Sequence, residues 1–309
     1  MTSTSSTRPI ILLIGPTAGG KTSLSVHMAQ VLPGGGECIS ADSMQVYEGM
    51  DIGTATPSME EREGVPHHLL SIVRPDTPFT LDDWLVAAEA AIADVRSRGR
   101  WPIVVGGTNL YVQALLFGLL EGPPPDPTLR AELAAMDPES LRAELTQCDP
   151  VAAARIHPND HRRTIRAVEY ARRTGHALSD AQVQWSEACR PDTQILGLDW
   201  PVEAINRRIN ARVGTMMAAG LLNEVQQLYE RDLLGEQAAA GVGYAQLIAH
   251  LEGRCSLDDA VEQIKIRSRR LGKQQRTWLR KFRALPHLTW IHPAKEDPYH
   301  AAMKALMAL

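Results

Sequence analysis

Eight residues at positions 15–22, Gly-Pro-Thr-Ala-Gly-Gly-Lys-Thr, carry the clearest chemical signal in the chain. They match the spacing G-x-x-x-x-G-K-[ST] at every fixed position. Gly15 and Gly20 let the backbone turn so that successive N–H groups converge on one anion, and Lys21 adds a full positive charge. The Thr22 hydroxyl can ligate Mg²⁺. With an apolar run before it and a helix-compatible segment after it, the loop predicts a site for a chain of phosphates.

A later apolar run helps to decide what carries those phosphates. Residues 101–105 (WPIVV) end in Gly106-Gly107-Thr108 and not in a carboxylate. In motor-type ATPases an acidic residue at such a strand end shares the magnesium ion or orients the attacking water. An energy-transducing ATPase is therefore disfavoured. A transferase whose substrate carries a diphosphate or triphosphate remains.

Asp42 is the candidate for acid–base chemistry. It directly follows residues 37–41 (ECISA), which predict a second strand. In open α/β sheets ligands bind beyond the carboxyl ends of the strands, so Asp42 should face the phosphate loop. An Asp-Ser pair is also a common turn or helix cap, and position alone does not separate the two interpretations.

The elements that position these residues follow an α/β pattern. Buried parallel strands are predicted at four apolar runs, residues 9–14, 37–41, 101–105 and 194–198. Helix-compatible segments lie between these runs. We predict a P-loop NTPase-like core with a parallel sheet, formed by residues 9–122 and 192–309.

Residues 123–191 contain helical patterns without a strand signal and predict an inserted all-helical domain. Asp-Pro pairs at 126–127, 137–138 and 149–150 each place a good N-cap before the one residue type tolerated at the first helical position. A fourth helix should begin near 159–160 and end before Gly175.

Composition excludes several classes of protein. The 309 residues carry a formal net charge of -4, and no run reaches the roughly 18 apolar residues of a membrane span. The four cysteines lie far apart without a C-x-x-C pair, which argues against a disulfide framework and fits a reducing compartment. We therefore expect a cytoplasmic protein that does not interact with membranes.

Positive charge is concentrated in residues 265–283, where nine of nineteen residues are Lys or Arg and none is acidic. In a chain of net negative charge, such a run is the pattern expected for contact with a phosphate backbone. Trp278 and Phe282 lie four residues apart, which favours packing on the core over base stacking.

Several blocks together carry a family resemblance: GPTAGGKT, SADSMQVYEGMDIGTATPS, GVPHHL, VVGGTNLYVQAL, HPNDHRRTIRAVE and RRLGKQQRTWLRKF. In order and content they resemble the tRNA dimethylallyltransferases (tRNA isopentenyltransferases) over most of residues 10–283. The resemblance implies transfer of a dimethylallyl group from dimethylallyl diphosphate to N6 of the adenosine just 3′ of the tRNA anticodon. It also implies Mg²⁺ as the cofactor, and we expect a monomer.

The resemblance also implies roles for individual residues. Asp42 would be the base, Thr17 would donate to the bridging oxygen, Lys21 would stabilise the leaving group and Thr22 would hold the metal. The diphosphate-binding residues would be Gly15, Pro16, Thr17, Ala18, Gly19, Gly20, Lys21, Thr22 and Arg212. The tRNA-binding residues would be Asp42, Ser43, Met44, Gln45, Thr108, Arg130, His161, Arg162, Arg163, Arg166, Gly243, Tyr244, Lys273, Gln275, Arg276 and Arg280.

The chain departs from the family pattern at a few positions. Gln274 stands where the family usually has Arg, Ala240 and Ala245 stand where basic residues are common, and Gly19 replaces the more usual Ser. Individual tRNA contacts near these positions are therefore open. The alternatives are a P-loop small-molecule kinase, a prenyltransferase acting on free adenine nucleotides, and a nucleotide-regulated RNA-binding module.

Overall fold

A computed structural model describes residues 8–119, 122–184, 189–285 and 287–307. The chain divides into two compact units, residues 1–114 with 191–309 and residues 115–190. We refer to the first as the α/β unit and to the second as the helical unit.

The sheet of the α/β unit is parallel throughout the described residues, with strand order β3-β2-β4-β1-β5-β6. The strands are β1 (Ile10–Ile14), β2 (Gly36–Ala41), β3 (His67–His68), β4 (Trp101–Gly106), β5 (Thr193–Leu198) and β6 (Leu288–Ile291). Every residue of β1 is buried, which explains why this run is apolar without alternation. The predicted P-loop-like α/β core with a parallel sheet is confirmed.

Helices connect the strands and make up the helical unit. In chain order they are α1 (Lys21–Val31), α2 (Asp51–Thr54), α3 (Met59–Arg62), α4 (Leu81–Ser97), α5 (Asn109–Phe117), α6 (Pro127–Ala135), α7 (Pro138–Cys148), α8 (Pro150–Arg155), α9 (His161–Thr174), α10 (Leu178–Gln184), α11 (Val202–Ala218), α12 (Leu221–Glu230), α13 (Glu236–Ala239), α14 (Tyr244–Leu251), α15 (Leu257–Lys281) and α16 (Pro298–Met307), with a short 3₁₀ helix at Phe282–Ala284. Among the described residues, no helix is long and apolar enough to cross a membrane.

Among the buried side chains of the described α/β unit, two clusters help to position the phosphate loop and the basic helix. One contains side chains of β1, α1, β5 and α16, including Leu13, Met28 and Leu196. The other packs α11, α12, α14 and α15 around Val46 and Tyr244. The second cluster therefore fixes the basic helix α15 in the same unit as the phosphate loop.

The helical unit follows the capping pattern of its sequence. Asp126, Asp137 and Asp149 cap α6, α7 and α8, and each carboxylate accepts at least one backbone N–H of the helix that follows. Asp160 caps α9, and Gly175 ends it in the left-handed conformation with φ 74. The predicted helix starts and the end of the fourth helix are confirmed.

Candidate active site

The phosphate loop lies between β1 and α1, and residues 17–22 line a pocket of about 1150 Å³. Gly20 caps α1 with φ 87, a conformation that side-chain-bearing residues rarely adopt. Lys21 folds back over the loop, and its Nζ donates to the carbonyls of Gly15 and Pro16 at 3.0 Å each. The loop thus directs the amino end of a helix and one ammonium group toward the pocket.

Three side chains hold the loop from outside. Trp200 Nε1 donates to the Gly19 carbonyl at 3.0 Å, and Arg208 Nε donates to the Ala18 carbonyl at 2.7 Å. The Arg208 guanidinium also stacks over the Trp200 ring. On the other side, the Thr17 N–H donates to Gln275 Oε1 at 2.8 Å. These contacts fix the loop backbone through its carbonyls and one amide.

The electrostatics of the pocket favour an anion. Desolvation and repulsion by Arg212 lower the pKa of Lys21 to about 8, although Asp42 opposes this shift. Burial likewise lowers the pKa of Arg212, whose Nη1 donates to Thr17 Oγ1 at 3.4 Å. Two cations thus lie close together at the loop, and a bound polyphosphate would relieve their mutual repulsion.

Asp42 lines the same pocket, at the carboxyl end of β2. Its Oδ1 accepts the Met44 N–H at 2.9 Å, so the carboxylate is held by a turn and is half-buried. Thr108, after β4, supports this turn because its Oγ1 accepts the Ser43 N–H at 3.1 Å. The sequence left two interpretations of Asp42 open, a turn residue and a residue that faces the phosphate loop. The structure shows Asp42 in a turn and in the pocket of the loop.

Gln45 connects Asp42's turn to the opposite wall of the pocket. Its amide nitrogen donates to the Ala55 carbonyl at 3.0 Å, while its oxygen accepts the Ser40 hydroxyl at 2.9 Å. The wall itself comprises much of residues 51–63.

Glu224 anchors this wall from α12. Its carboxylate accepts the N–H groups of Asp51, Ile52 and Gly53 at 2.7–3.0 Å. It also accepts the Tyr244 hydroxyl at 2.6 Å. Burial, followed by the nearby Glu224 charge, raises the pKa of Tyr244, so the phenol remains a donor. A single carboxylate therefore satisfies the amino end of α2.

The predicted tRNA residues of the α/β unit differ in exposure. Lys273 and Arg280 are exposed on α15, and Arg276 is half-buried. Tyr244 is 1% exposed and Gln275 6%, and both side chains engage protein atoms. For these two residues, burial argues against the direct tRNA contact that their motifs predicted. Gly243 has φ 102 and directly precedes α14. The motif glycine therefore provides a backbone conformation that other residues rarely adopt.

In the helical unit, the predicted contact residues differ in exposure and in their partners. His161, Arg162 and Arg163 are exposed in the first turn of α9. Arg130 donates to Glu169 through two nitrogens, and Arg166 donates to the same carboxylate at 3.0 Å. Burial raises the pKa of Glu169, but hydrogen bonds from Arg130, the Asp126 amide and Arg166 bring it below its ordinary value.

Several residues of the pocket were missed at the sequence level. Glu224, Trp200 and Arg208 lie more than 170 positions from the backbone groups they bind, so no local pattern indicates these contacts. Of the two α11 arginines that donate to the loop, only Arg212 was predicted, through the family resemblance. Residues 51–58 of this wall lie in the family motif, which assigned them no role, and residues 59–63 lie outside the quoted motifs.

Comparison with known proteins agrees with this geometry. The family model described as IPP transferase matches residues 45–282. A tRNA dimethylallyltransferase of Geobacillus thermodenitrificans is 45% identical over 279 residues, covering 89% of this chain and 88% of that relative. The fold and pocket therefore define a P-loop-like α/β transferase.

Solved structures give the same result. The tRNA delta(2)-isopentenylpyrophosphate transferase of Staphylococcus epidermidis is 36% identical with a TM-score of 0.70, covering 97% of this chain and 98% of that one. A eukaryotic dimethylallyltransferase acting on tRNA has a TM-score of 0.82 at 29% identity, covering 96% of this chain and 77% of that one. The chain belongs to the IPP transferase family.

Proposed function

We propose that this protein transfers the dimethylallyl group of dimethylallyl diphosphate to N6 of the adenosine just 3′ of a tRNA anticodon. The observation that carries the proposal is that Asp42 and the phosphate loop line one pocket. Family membership and the names of the relatives support the same reaction. The products would be diphosphate and the N6-dimethylallyl nucleoside.

The reaction needs a base on one side of the allylic carbon. An adenine exocyclic amine is a poor nucleophile because its lone pair is delocalised into the ring. As the new N–C bond forms, the amine must lose a proton, and the Asp42 carboxylate would accept it. The turn that holds Oδ1 through the Met44 N–H would keep the carboxylate oriented toward the pocket.

The other side of the carbon needs stabilisation of a leaving group. Breaking the allylic C–O bond leaves its electron pair on diphosphate, and the cost depends on how well that charge is stabilised. The backbone N–H groups of residues 20–22 at the start of α1, the Lys21 ammonium and the Arg212 guanidinium would stabilise it. Thr17, whose hydroxyl accepts a hydrogen bond from Arg212, would donate to the bridging oxygen.

The residues present fit a magnesium–diphosphate pair. Mg²⁺ is commonly bound through one or two protein oxygens together with substrate phosphates and water. The Thr22 hydroxyl and the Asp42 carboxylate both line the pocket beside the loop, and the Thr22 hydroxyl would supply the protein ligand. The ion would add positive charge next to the departing diphosphate.

Binding of tRNA is supported by exposed cations in both units. Lys273 and Arg280 on α15, and Arg162 and Arg163 on α9, present positive groups to solvent. Such groups bind the phosphate backbone without reading its sequence. We further propose that the enzyme acts as a monomer in the cytoplasm, where its tRNA substrate is located.

The direct test is mass analysis of tRNA nucleosides. The protein is incubated with unmodified tRNA, dimethylallyl diphosphate and Mg²⁺, and the digested nucleosides are compared with those of a reaction without donor. The proposal predicts a new adenosine derivative heavier by one dimethylallyl group in place of a hydrogen. Unchanged nucleosides under conditions where the protein is folded would contradict it.

Binding measured over a salt series distinguishes tRNA from the main competing acceptor, a free adenine nucleotide. Binding of tRNA through exposed Lys and Arg should weaken steeply as salt rises, because each phosphate contact releases counterions. Negligible tRNA binding together with prenylation of an adenine nucleotide would favour the alternative.

A further inference from the structure

Gln275 connects the phosphate loop to the end of a neighbouring strand. It lies on α15 among basic residues, yet it is only 6% exposed. Its Oε1 accepts the Thr17 N–H at 2.8 Å, and its Nε2 donates to the Gly107 carbonyl at 3.0 Å. Its own backbone carbonyl accepts a hydrogen bond from Asn109 at 3.4 Å. One side chain thus joins the loop after β1 to the loop after β4.

The chemistry of the carboxamide suits this position. An N–H on one side and a C=O on the other require one acceptor and one donor at the end of the same side chain, and glutamine offers both. Lysine and arginine have donors only, so the basic residues that surround Gln275 on α15 could not satisfy the Thr17 N–H.

The fit is also steric. A Cβ at Gly107 would lie 2.5 Å from Gln275 Nε2, so the amide fills space that any larger residue at 107 would need. The close approach makes the position of the carboxamide sensitive to small changes on either side.

We propose that Gln275 is a positioning residue for release of the diphosphate, acting through the Thr17 backbone. By fixing the Thr17 N–H, Gln275 sets where the Thr17 hydroxyl and the adjacent amides point in the pocket. Arg212 holds the same hydroxyl from the other side. The role in catalysis rests on the proposed function, whereas the role in anion binding does not.

This role differs from a direct contact with tRNA, which the sequence motif suggested for Gln275. A tRNA contact needs exposed polar atoms, whereas both polar atoms of this carboxamide bind protein backbone. The two roles predict opposite kinetic effects. Loss of positioning alters donor binding and turnover, whereas loss of a tRNA contact raises KM for tRNA.

The test compares three variants. Gln275→Ala removes the side chain, Gln275→Met keeps its volume without either hydrogen bond, and Gln274→Ala makes the same deletion at the exposed neighbour on α15. For both Gln275 variants, we expect kcat to fall by about 10- to 100-fold, as is common when a catalytic group is misplaced by about an ångström. KM for tRNA should stay within about twofold, and Gln274→Ala should leave KM for the donor unchanged.

A binding measurement separates this proposal from the proposed reaction. Titration with inorganic pyrophosphate and Mg²⁺ needs no turnover, and its Kd should rise about tenfold in Gln275→Met relative to wild type. If wild type does not modify tRNA, the proposed function fails, but the pyrophosphate comparison still decides the role of Gln275. Wild-type pyrophosphate affinity and kcat in Gln275→Met, with or without a lower Tm, would overturn the proposal. A raised KM for tRNA with unchanged kcat would overturn it in favour of the direct contact.

Discussion

Two pairs of cations, one pair in each unit, differ in how their charge is neutralised. In the helical unit, Arg130 and Arg166 both donate to Glu169, whose side chain is fully buried. In the α/β unit, Lys21 and Arg212 line the pocket, and none of the ion pairs found among the described residues includes either of them. Their hydrogen bonds go to backbone carbonyls and a hydroxyl.

The difference indicates which cations are structural and which are available to a ligand. A buried carboxylate satisfied by two arginines stabilises the surrounding packing, since removing one partner leaves charge without compensation. Cations that are desolvated but not neutralised raise the free energy of the empty pocket, and an anion lowers it. The lowered pKa of Lys21 reflects that second situation.

The largest expected effect is the loss of the base. Asp42→Ala should reduce turnover by about 10²- to 10⁴-fold, the usual contribution of a general base, because the adenine amine would have no acceptor for its proton. Affinity for tRNA should be nearly unchanged. Single-turnover prenylation assays with filter binding of tRNA measure both quantities. Prenylation within a few-fold of wild type would remove Asp42 from this role.

The next effect is a pH dependence of anion binding. Because Lys21 has a pKa of about 8 in the free protein, it loses its charge above that pH, and pyrophosphate affinity should fall there by about tenfold per pH unit. The pKa of Lys21 lies below the ordinary lysine value. The ammonium group is therefore charged well below pH 8, and its attraction for pyrophosphate is lost as the pH rises through about 8. Calorimetric titrations of wild type and Lys21→Met across this range isolate the Lys21 contribution, since pyrophosphate ionisation affects both. Parallel curves for the two proteins would contradict the assignment.

A smaller effect on stability is expected in the helical unit. Arg130→Met should lower the free energy of unfolding by about 1–2 kcal/mol, since Glu169 loses a two-nitrogen donor and keeps Arg166. Arg163→Met is the matched control, because Arg163 is exposed and its ion pair with Asp160 is a longer contact of 3.5 Å at the surface. Urea denaturation measures both. If Arg130→Met weakens tRNA binding while its stability equals that of the control, Arg130 belongs with the cations available to ligands.

The smallest effect concerns exposed cations on α15. Arg280→Ala should weaken tRNA binding modestly and reduce the slope of log affinity against log salt by about 1, as expected for the loss of one phosphate contact. Binding measured over a salt series gives the slope directly. An unchanged slope would mean that Arg280 does not contact the phosphate backbone.

Much of the fold could be predicted from local sequence. β1, β2, β4 and β5 coincide with apolar runs to within a residue or two, because buried parallel strands leave no polar face. The three Asp-Pro helix starts were equally clear, since capping depends on adjacent residues. β6 was not predicted, because its four residues lie at an edge, are mostly half-buried and lack a continuous apolar run.

The candidate site was only partly predictable. The phosphate loop and Asp42 were identified because strand ends meet at one edge of a parallel sheet. The hydrogen bonds of Glu224 to α2 and of Trp200 to the Gly19 carbonyl were not predicted, since they depend on how segments distant in sequence pack together. Gln275 was identified through the family motif as a tRNA-binding residue, and its burial was not predicted, because sequence alone does not reveal which face of α15 is buried.

The account depends most on the claim that the phosphate loop holds a leaving group, and stoichiometry tests this directly. Purified protein is supplied with tRNA, dimethylallyl diphosphate and Mg²⁺ in the absence of ATP, and released diphosphate and dimethylallylated adenosine are both quantified. The account predicts one diphosphate for each modified adenosine. Phosphorylation of a metabolite when ATP is supplied, with tRNA chemically unchanged in the presence of the prenyl donor, would contradict it.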